Sequence, residues 1–440
     1  MKVAFYTLGC KTNQFETQAM ERLFEQRGHE IVDFEEIADV YIVNTCTVTA
    51  LSDKKSRNAA RRCKKRNPAA TLIVCGCYSQ SAPQEARELC GADIVVGTDG
   101  KGTIVDLAEG TLSAPPSFEP AQREERQFEL LPAGGLRGRT RALLKVQDGC
   151  QNFCSYCIIP YARGRCRSIP LDQAAAQAAE LESQGYCEIV VTGIEVSSYG
   201  LDLPGRPSPA ALLAAVCRAA PQTRIRVGSL EPRTITPEFL QTVASLPNLC
   251  PHFHLSLQSG CDSTLKRMNR KYTTDRYAQS VEWLRQAFPG CAVTTDLIVG
   301  FPGETEQDFQ QSLDFVRRQA LAQIHVFPYS RRKGTPAYSM PDQISQEEKK
   351  ERARLAGMAA ASLRRSFLES KLGQTLSVLF ERPKHGFFTG FSPEYCDVQV
   401  LAEKGVDLRN QVRQVFIIGC GMGYLTGRLN ETNEPISSDI

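Results

Sequence analysis

The octapeptide Cys150-Gln151-Asn152-Phe153-Cys154-Ser155-Tyr156-Cys157 sets three thiols in a C-x3-C-x2-C loop just after the apolar run Ala142–Val146. Cys154 and Cys157 alone could form a redox C-x-x-C pair, but that motif belongs at a helix start in a thioredoxin-like fold. A structural zinc takes four protein ligands, and the nearest fourth here is Cys166, off the usual spacing. Three thiolates on one tight loop suit three irons of a four-iron cube, with the fourth iron open to an exogenous ligand. Motif, strand-end position and surrounding pattern agree on this last reading.

Downstream of the loop, strand-like runs recur at Glu188–Thr192, Arg224–Val227, Phe253–Leu257, Ala292–Ile298 and Gln323–Val326. Amphipathic helical segments such as Leu171–Gln184, Pro209–Ala219 and Glu306–Arg318 lie between most of them. With Ala142–Val146 this makes six βα units, a partial TIM-like (β/α)6 barrel. Gly300-Phe301-Pro302-Gly303-Glu304-Thr305 lacks the lysine of a phosphate loop and reads as a tight turn. Upstream, the first hundred residues also alternate strands (Val3–Thr7, Val40–Val43, Thr71–Val74, Ile94–Val96) with helices (Gln14–Arg27, Ala50–Arg66, Gln84–Leu89). That predicts a parallel α/β sheet. Cys10, Cys46 and Cys77 follow its first three strands, and ligands collect beyond the carboxyl ends of such strands. Cys75 is an alternative to Cys77. The fold class is therefore α/β, in four parts: a sheet domain over 1–110, a Pro/Gly-punctuated linker over 111–140, the barrel over 141–370, and a small all-β module over 371–435. A long basic helix (Glu347–Leu372) leads into that module, which has short β runs at Leu376–Glu381, Phe388–Phe391, Cys396–Val400 and Val412–Ile418.

The 440 residues include 17 cysteines, an odd count that argues against a disulfide framework. The opening Met1–Cys10 looks superficially like a lipoprotein signal, but its apolar run is short and Asn13 and Glu16 follow. Reduced thiols and a cytoplasmic location are expected. No apolar stretch reaches the roughly 18 residues a membrane span needs. A formal net charge of +3 is too small to argue for a nucleic-acid partner by itself.

The cysteine loop, with Tyr156 before its last cysteine and a barrel after it, resembles the radical S-adenosylmethionine superfamily. The N-terminal segments Leu8-Gly9-Cys10-Lys11-Thr12-Asn13, Asn44-Thr45-Cys46-Thr47-Val48-Thr49 and Cys75-Gly76-Cys77-Tyr78-Ser79-Gln80 are similar to the methylthiotransferase family within it. So are Tyr161-Ala162-Arg163-Gly164, Ser256-Leu257-Gln258-Ser259-Gly260 and Asp296-Leu297-Ile298-Val299-Gly300. The resemblance covers nearly the whole chain. It implies two 4Fe-4S clusters, one held by Cys150, Cys154 and Cys157 and an auxiliary one by Cys10, Cys46 and Cys77, with Gly-Cys-Tyr favouring Cys77 over Cys75. It implies S-adenosylmethionine as both methyl donor and source of a 5′-deoxyadenosyl radical. Strand-end residues Thr192, Gly193, Ser229, Glu231, Ser256, Gln258 and Asp296 are the candidates to bind it. The C-terminal module resembles the TRAM domain, an RNA-binding barrel. Glu195-Val196-Ser197-Ser198-Tyr199 departs from the Gly-Ser-Tyr-Gly run of the family.

Gly9-Cys10-Lys11-Thr12-Asn13 and Asp53-Lys54-Lys55-Ser56-Arg57 look like the branch acting on N6-threonylcarbamoyladenosine at position 37 of tRNA, near the anticodon. The alternatives are isopentenyladenosine in tRNA, an aspartate of a ribosomal protein, or a non-enzymatic iron–sulfur redox sensor that binds RNA. The resemblance also implies an electron donor such as flavodoxin or ferredoxin, and a sulfur source. Three sets of basic residues could meet phosphates: Lys54, Lys55, Arg57, Arg61, Arg62, Lys64, Lys65 and Arg66; Arg137, Arg139 and Arg141; and Arg331, Arg332, Lys333, Lys349, Lys350, Arg352, Arg354, Arg364 and Arg365. An anticodon loop presents unstacked bases that are cheap to extrude into a pocket.

Overall fold

The computed structural model describes residues 1–113, 127–134, 140–384, 386–402 and 405–430. Arg137 and Arg139, and much of the expected linker, lie outside these residues.

Strands β1 (Lys2–Thr7), β2 (Glu30–Val32), β3 (Val40–Thr45), β4 (Thr71–Gly76) and β5 (Ile94–Val95) form one sheet in the order β2-β1-β3-β4-β5. All its pairings are parallel. Buried on both faces, β3 is wholly apolar up to Asn44, as such a strand must be. Helix α1 (Lys11–Gln26) lies on one face of the sheet, where Met20 and Phe24 meet Val3 and Ile42. Helix α2 (Ala50–Arg66) covers the other face with Ala59, Ala60 and Cys63. Two short helices, α3 (Cys77–Ser81) and α4 (Pro83–Cys90), follow β4, and α5 (Ile104–Glu109) closes the unit.

The central barrel comprises β6 (Arg141–Asp148), β7 (Arg167–Ser168), β8 (Glu188–Gly193), β9 (Arg224–Val227), β10 (Ser229–Leu230), β11 (His252–Leu255), β12 (Ala292–Val299) and β13 (Gln323–Pro328). They form two four-stranded sheets, β7-β6-β8-β9 and β10-β11-β12-β13, joined by the parallel bridge Ile225–Leu249. Gly228 separates β9 from β10, so these count as one interrupted strand. The result is the expected six parallel positions, with β7 an antiparallel addition at the β6 edge. Helices α6 (Ile159–Arg163), α7 (Leu171–Ser183), α8 (Pro209–Ala219), α9 (Pro237–Val243), α10 (Asp262–Arg267), α11 (Thr274–Ala287) and α12 (Glu306–Gln319) fill the connections. The Gly300–Glu304 segment is a turn: Gly300 has φ +71°, and its N–H donates to Glu304 Oε2 at 2.6 Å.

Helix α13 (Gln346–Glu369) runs along β13 into a closed barrel of β14 (Thr375–Lys384), β15 (Phe387–Phe391), β16 (Asp397–Leu401), β17 (Val412–Cys420) and β18 (Leu425–Leu429). The last of these strands was not expected.

The units share cores. Phe15 and Ala19 of α1 sit in the central barrel's apolar cluster, together with Leu131 and Ala133 from within the expected linker. Leu131 also accepts a hydrogen bond from Gln177 Nε2 at 3.0 Å. At the amino ends of the barrel strands, Arg226 bonds Glu188 (2.8 and 2.9 Å) and the Pro393 carbonyl (2.7 Å). Its guanidinium lies 4.7 Å from the Tyr395 ring centre. Tyr395 in turn stacks on Phe391 at 4.8 Å. The C-terminal barrel thus plugs one end of the central one. Among the described residues, no helix is long and apolar enough to cross a membrane.

This packing uses most of the arginines expected to meet phosphates. Arg141 pairs with Glu381 and stacks on Phe391. Arg332 bonds Asp53 and Thr47, and Arg352 is buried on Glu304. Arg354 and Arg365 pair with Glu351 and Glu369 on their own helix. Lys349 is buried under the Tyr329 ring, and Arg364 reaches the Tyr395 carbonyl. On α2, Arg62 and Arg66 pair with Glu35, and Lys64 pairs with Asp93. A cation in a basic run is free only if no acidic residue folds back on it, and here most have one. Lys54, Lys55, Lys65, Lys333 and Lys350 are exposed with no partner among the described residues.

Candidate active site

Two glycines bring the N-terminal cysteines together. Gly9 (φ +118°) precedes Cys10, and a Cβ there would lie 3.1 Å from Cys46 Cβ. Gly76 (φ +100°) precedes Cys77, and its Cβ would meet the Thr45 carbonyl at 2.5 Å and Asn44 Oδ1 at 2.6 Å. Only glycine lets β4 end this close to the turn before Cys46. Cys77 is in electrostatic range of both Cys10 and Cys46. The sulfur of Cys75 points into the apolar cluster of Val3, Met20 and Phe24 instead. Asn13 ties the loops: Nδ2 donates to the Leu8 and Thr45 carbonyls (both 2.9 Å), and Oδ1 accepts from Cys10 Sγ at 3.7 Å. Gly76→Ala is expected to lose about 3 kcal/mol of stability, from forbidden backbone geometry plus a backbone clash. Chemical denaturation checks this.

The loop of Cys150, Cys154 and Cys157 is clamped from below by the end of α10. Ser155 N–H donates to the Met268 carbonyl at 3.0 Å, and Asn269 Nδ2 donates to the Phe153 carbonyl at 2.8 Å. The three sulfurs are electrostatically coupled, and Cys157 also senses Cys77 of the other group. Cys166 turns elsewhere, to the Ser198 carbonyl (3.0 Å) and Gln147 (3.4 Å). Among the described residues, no three His, Cys, Asp or Glu side chains converge on a single metal ion.

Each group has a buried guanidinium against one sulfur. Arg163 Nε lies 3.3 Å from Cys77 Sγ, and Arg270 Nη1 lies 3.1 Å from Cys154 Sγ. Burial pushes the Cys77 thiol up to about 11 and Cys157 to about 12. Neutral thiols are poor partners for buried cations, whereas iron-bound thiolates satisfy them, and metal binding releases those protons. The donor set therefore fits anionic clusters at both places.

Arg163 is also the hub of a buried ion network. Its Nη1 bonds Glu16 Oε1 (2.9 Å) and both Asp148 oxygens (2.9 Å), and its Nη2 bonds Asn13 Oδ1 (2.8 Å). Lys145 reaches Glu16 (2.9 Å) and Asp148 (2.6 Å), and Lys101 reaches Glu16 (3.3 Å).

Of the strand-end residues, Glu231 is buried beside the cysteine loop, 3.1 Å from both Asn152 Nδ2 and Arg270 Nη2. Glu231 and Asn152 line a cavity of about 490 Å³. Glu195 lies alongside, where burial and the Glu231 charge raise its carboxyl to about 7. Thr192 is buried, and Gly193 packs on Gln147, whose Oε1 accepts from Glu195 N–H at 2.8 Å. Ser229 is exposed, and the Ser256 carbonyl accepts from the Tyr272 hydroxyl. Gln258 and Asp296 line a second cavity, of about 300 Å³. Cys157, Tyr156 and Phe327 also bound it, and so do Val48 and Thr49, two and three residues past Cys46. The cavity thus lies between Cys157 and the segment leaving Cys46. Arg270, Asn152 and Glu195 are not among the residues the sequence points to. Arg270 and Asn152 carry no local signature, and Glu195 shows in the sequence only as a departure from a motif.

Residues 144–316 match the Radical SAM superfamily, and residues 2–97 match an uncharacterized protein family, UPF0004. The chain is 38% identical to the threonylcarbamoyladenosine tRNA methylthiotransferase MtaB of Bacillus subtilis (strain 168), over 97% of this chain and 96% of that protein. It is 32% identical to the tRNA-2-methylthio-N(6)-dimethylallyladenosine synthase of Pelotomaculum thermopropionicum, over 98% of each. Among solved structures it is similar in fold to the radical S-adenosylmethionine methyltransferase TsrM of Kitasatospora setae. There the TM-score is 0.57 at 16% identity, covering 77% of this chain and 74% of that one.

Proposed function

Because the chain belongs to the methylthiotransferase family of radical S-adenosylmethionine enzymes, we propose that it methylthiolates carbon 2 of N6-threonylcarbamoyladenosine at position 37 of tRNA. The observation that carries this reading is the cavity bounded on one side by Cys157 and on the other by the segment leaving Cys46. On this reading Cys150, Cys154 and Cys157 hold one 4Fe-4S cluster with S-adenosylmethionine beside it, and Cys10, Cys46 and Cys77 hold the second. With these groups bound, the clusters and S-adenosylmethionine supply the electron, the radical, the methyl group and the transferred sulfur. An external reductant such as flavodoxin or ferredoxin and a sulfur source complete the set.

The protein's own contribution is placement. Asn152, Glu231 and Arg270 form a polar wall at the first cluster loop. Tyr156, Ile158, Ile159 and Phe327 give the cavity an apolar lining that shields reactive species from water. Phe327, Val48 and Leu51 are 48%, 51% and 60% exposed, an apolar rim on which an extruded base can stack. Lys54 and Lys55 stand just beyond it on α2. Lys333 follows β13 on the same segment as Ser330, whose hydroxyl accepts from Ala50 N–H at 3.4 Å. These free cations are placed to take anticodon-loop phosphates, with the C-terminal barrel as a second RNA surface.

Nucleoside mass spectrometry on cells lacking the protein tests the substrate. The methylthio form is expected to vanish while N6-threonylcarbamoyladenosine persists. Unchanged methylthio-threonylcarbamoyladenosine overturns the assignment, and loss of the methylthio-isopentenyl nucleoside instead transfers it to the other tRNA branch.

A further inference from the structure

The inner face of the central barrel is not packed shut. Along β13, His325 and Phe327 share that face, and both are exposed. Asp296 of β12 is in register with His325, and Thr294, two residues earlier on the same face, is in register with His254 of β11. These make a polar wall: His254 Nδ1 lies 3.1 Å from Thr294 Oγ1, and Nε2 lies 3.4 Å from Asp296 Oδ2. The His254 and His325 rings are 6.2 Å apart. Because Asp296 and Phe327 also line the cavity at Cys157, the lumen continues that cavity inward.

Lys11 enters this lumen from the opposite side. It is the first residue of α1, and that helix packs against β6 and β8. Its side chain is accessible. Yet its charge interacts with Tyr395, Arg226, Arg141 and Glu188 on one side and with His252 and His325 on the other. Groups from five strands (β6, β8, β9, β11 and β13) and from the C-terminal barrel surround it, so the open space it faces is the barrel interior. Lys11 makes no hydrogen bond or ion pair among the described residues, while nearby Glu188 is already taken by Arg226. No side chain caps the first turn of α1, so the helix dipole adds to the Lys11 charge. An unpaired ammonium, a helix N-terminus and two imidazoles around an open lumen favour an anion over an alkyl chain.

Resting on the function proposed above, we propose that Lys11, with His325 opposite, binds the carboxylate of the substrate's threonylcarbamoyl group and so selects it over an uncharged N6 substituent. The adenine ring then lies in the cavity between the cysteine groups, with its N6 arm reaching inward past Asp296. The isopentenyl arm offers nothing for this charge, so binding it leaves a lysine unpaired.

The test uses the full-length, cluster-reconstituted protein and synthetic anticodon stem-loops. These carry N6-threonylcarbamoyladenosine, its threoninamide analogue or isopentenyladenosine. Wild type is expected to bind the acid about tenfold or more tighter than the amide, the scale of one charge-assisted hydrogen bond. Lys11→Met brings the ratio close to one, Lys11→Arg keeps most of it, and His325→Leu, remote from Cys10 in sequence, lowers it in part. Iron content is compared across the variants, and His325→Leu decides if Lys11→Met loses iron. Equal binding of acid and amide by wild type, or an unchanged ratio in Lys11→Met of wild-type iron content, overturns the inference. If wild type still methylthiolates the acid stem-loop, the substrate reading survives that result. If wild type methylthiolates only the isopentenyl stem-loop, both fall.

Discussion

Cys46→Ala protein, reconstituted without oxygen, is expected to hold about four irons per chain where wild type holds about eight. It should cleave S-adenosylmethionine reductively at close to the wild-type rate while transferring no methylthio group. Cys157→Ala should also hold about four irons but should cleave nothing. The contrast follows from geometry. Each group builds its own site: Gly9 and Gly76 fold three segments around Cys46, whereas the Cys157 loop is held by Met268 and Asn269. Losing one thiolate opens one cluster and leaves the other's donors in place. Iron analysis and quantification of 5′-deoxyadenosine check the pair. Full iron in Cys46→Ala, or methylthio transfer by it, removes Cys46 from the proposed ligands, and simultaneous loss of both clusters removes their independence.

The parts of this design that depend on local spacing were legible in the chain. The proposed cluster loop draws its three cysteines from within a few residues, and a doubly covered parallel strand needs an apolar run, so Cys150–Cys157 and Val40–Val43 both stand out in the sequence. The fifth strand of the terminal barrel, Leu425–Leu429, is short and carries Gly427 opposite Ile417, where a side chain would not fit, so it shows little apolar pattern. Pairings across long separations were not legible. Arg163 sits in a recognisable Tyr-Ala-Arg-Gly segment, but its partners Asn13 and Glu16 come from helix α1, about 150 residues earlier in the chain. The basic helix α13 shows the same limit. Its arginines read as an RNA-binding face until the fold supplies Glu304 and Tyr395 as partners. Lys11 reads as a branch signature in the sequence, and only the strands folded around it place its charge among groups of β6, β8, β9, β11 and β13.

Arg163→Leu should be the most destabilising single substitution away from the cysteines. Arg163 is wholly buried and bonds Glu16 of the sheet domain, Asp148 of the barrel and Asn13 of the Cys10 loop. Its removal leaves two buried carboxylates with less than their full complement of cations, a loss of about 3–5 kcal/mol. Lysine cannot replace it, because one ammonium does not reproduce a planar fork that serves three partners and a sulfur. The loss should be local first: hydrogen exchange should rise along α1 and β6 before it rises in the terminal barrel. The same network sets a pH window. Burial alone would raise the Glu16 and Asp148 carboxyls, but Arg163 and Lys145, joined by Lys101 at Glu16 and Arg167 at Asp148, hold both well below their ordinary range. Their contribution is therefore full above about pH 4, where unfolded carboxyls ionise, and is lost as pH falls toward the folded values. Lys145 is shifted the other way: burial opposes its charge, but Asp148 and Glu16 outweigh that and raise it. Its contribution is full below about pH 10 and is lost as pH rises through the folded value. Wild type should thus show a stability plateau between those limits, and Arg163→Leu should lose stability less steeply on acidification. An acid limb of unchanged slope in the variant would show that this network does not couple the N-terminal sheet to the barrel.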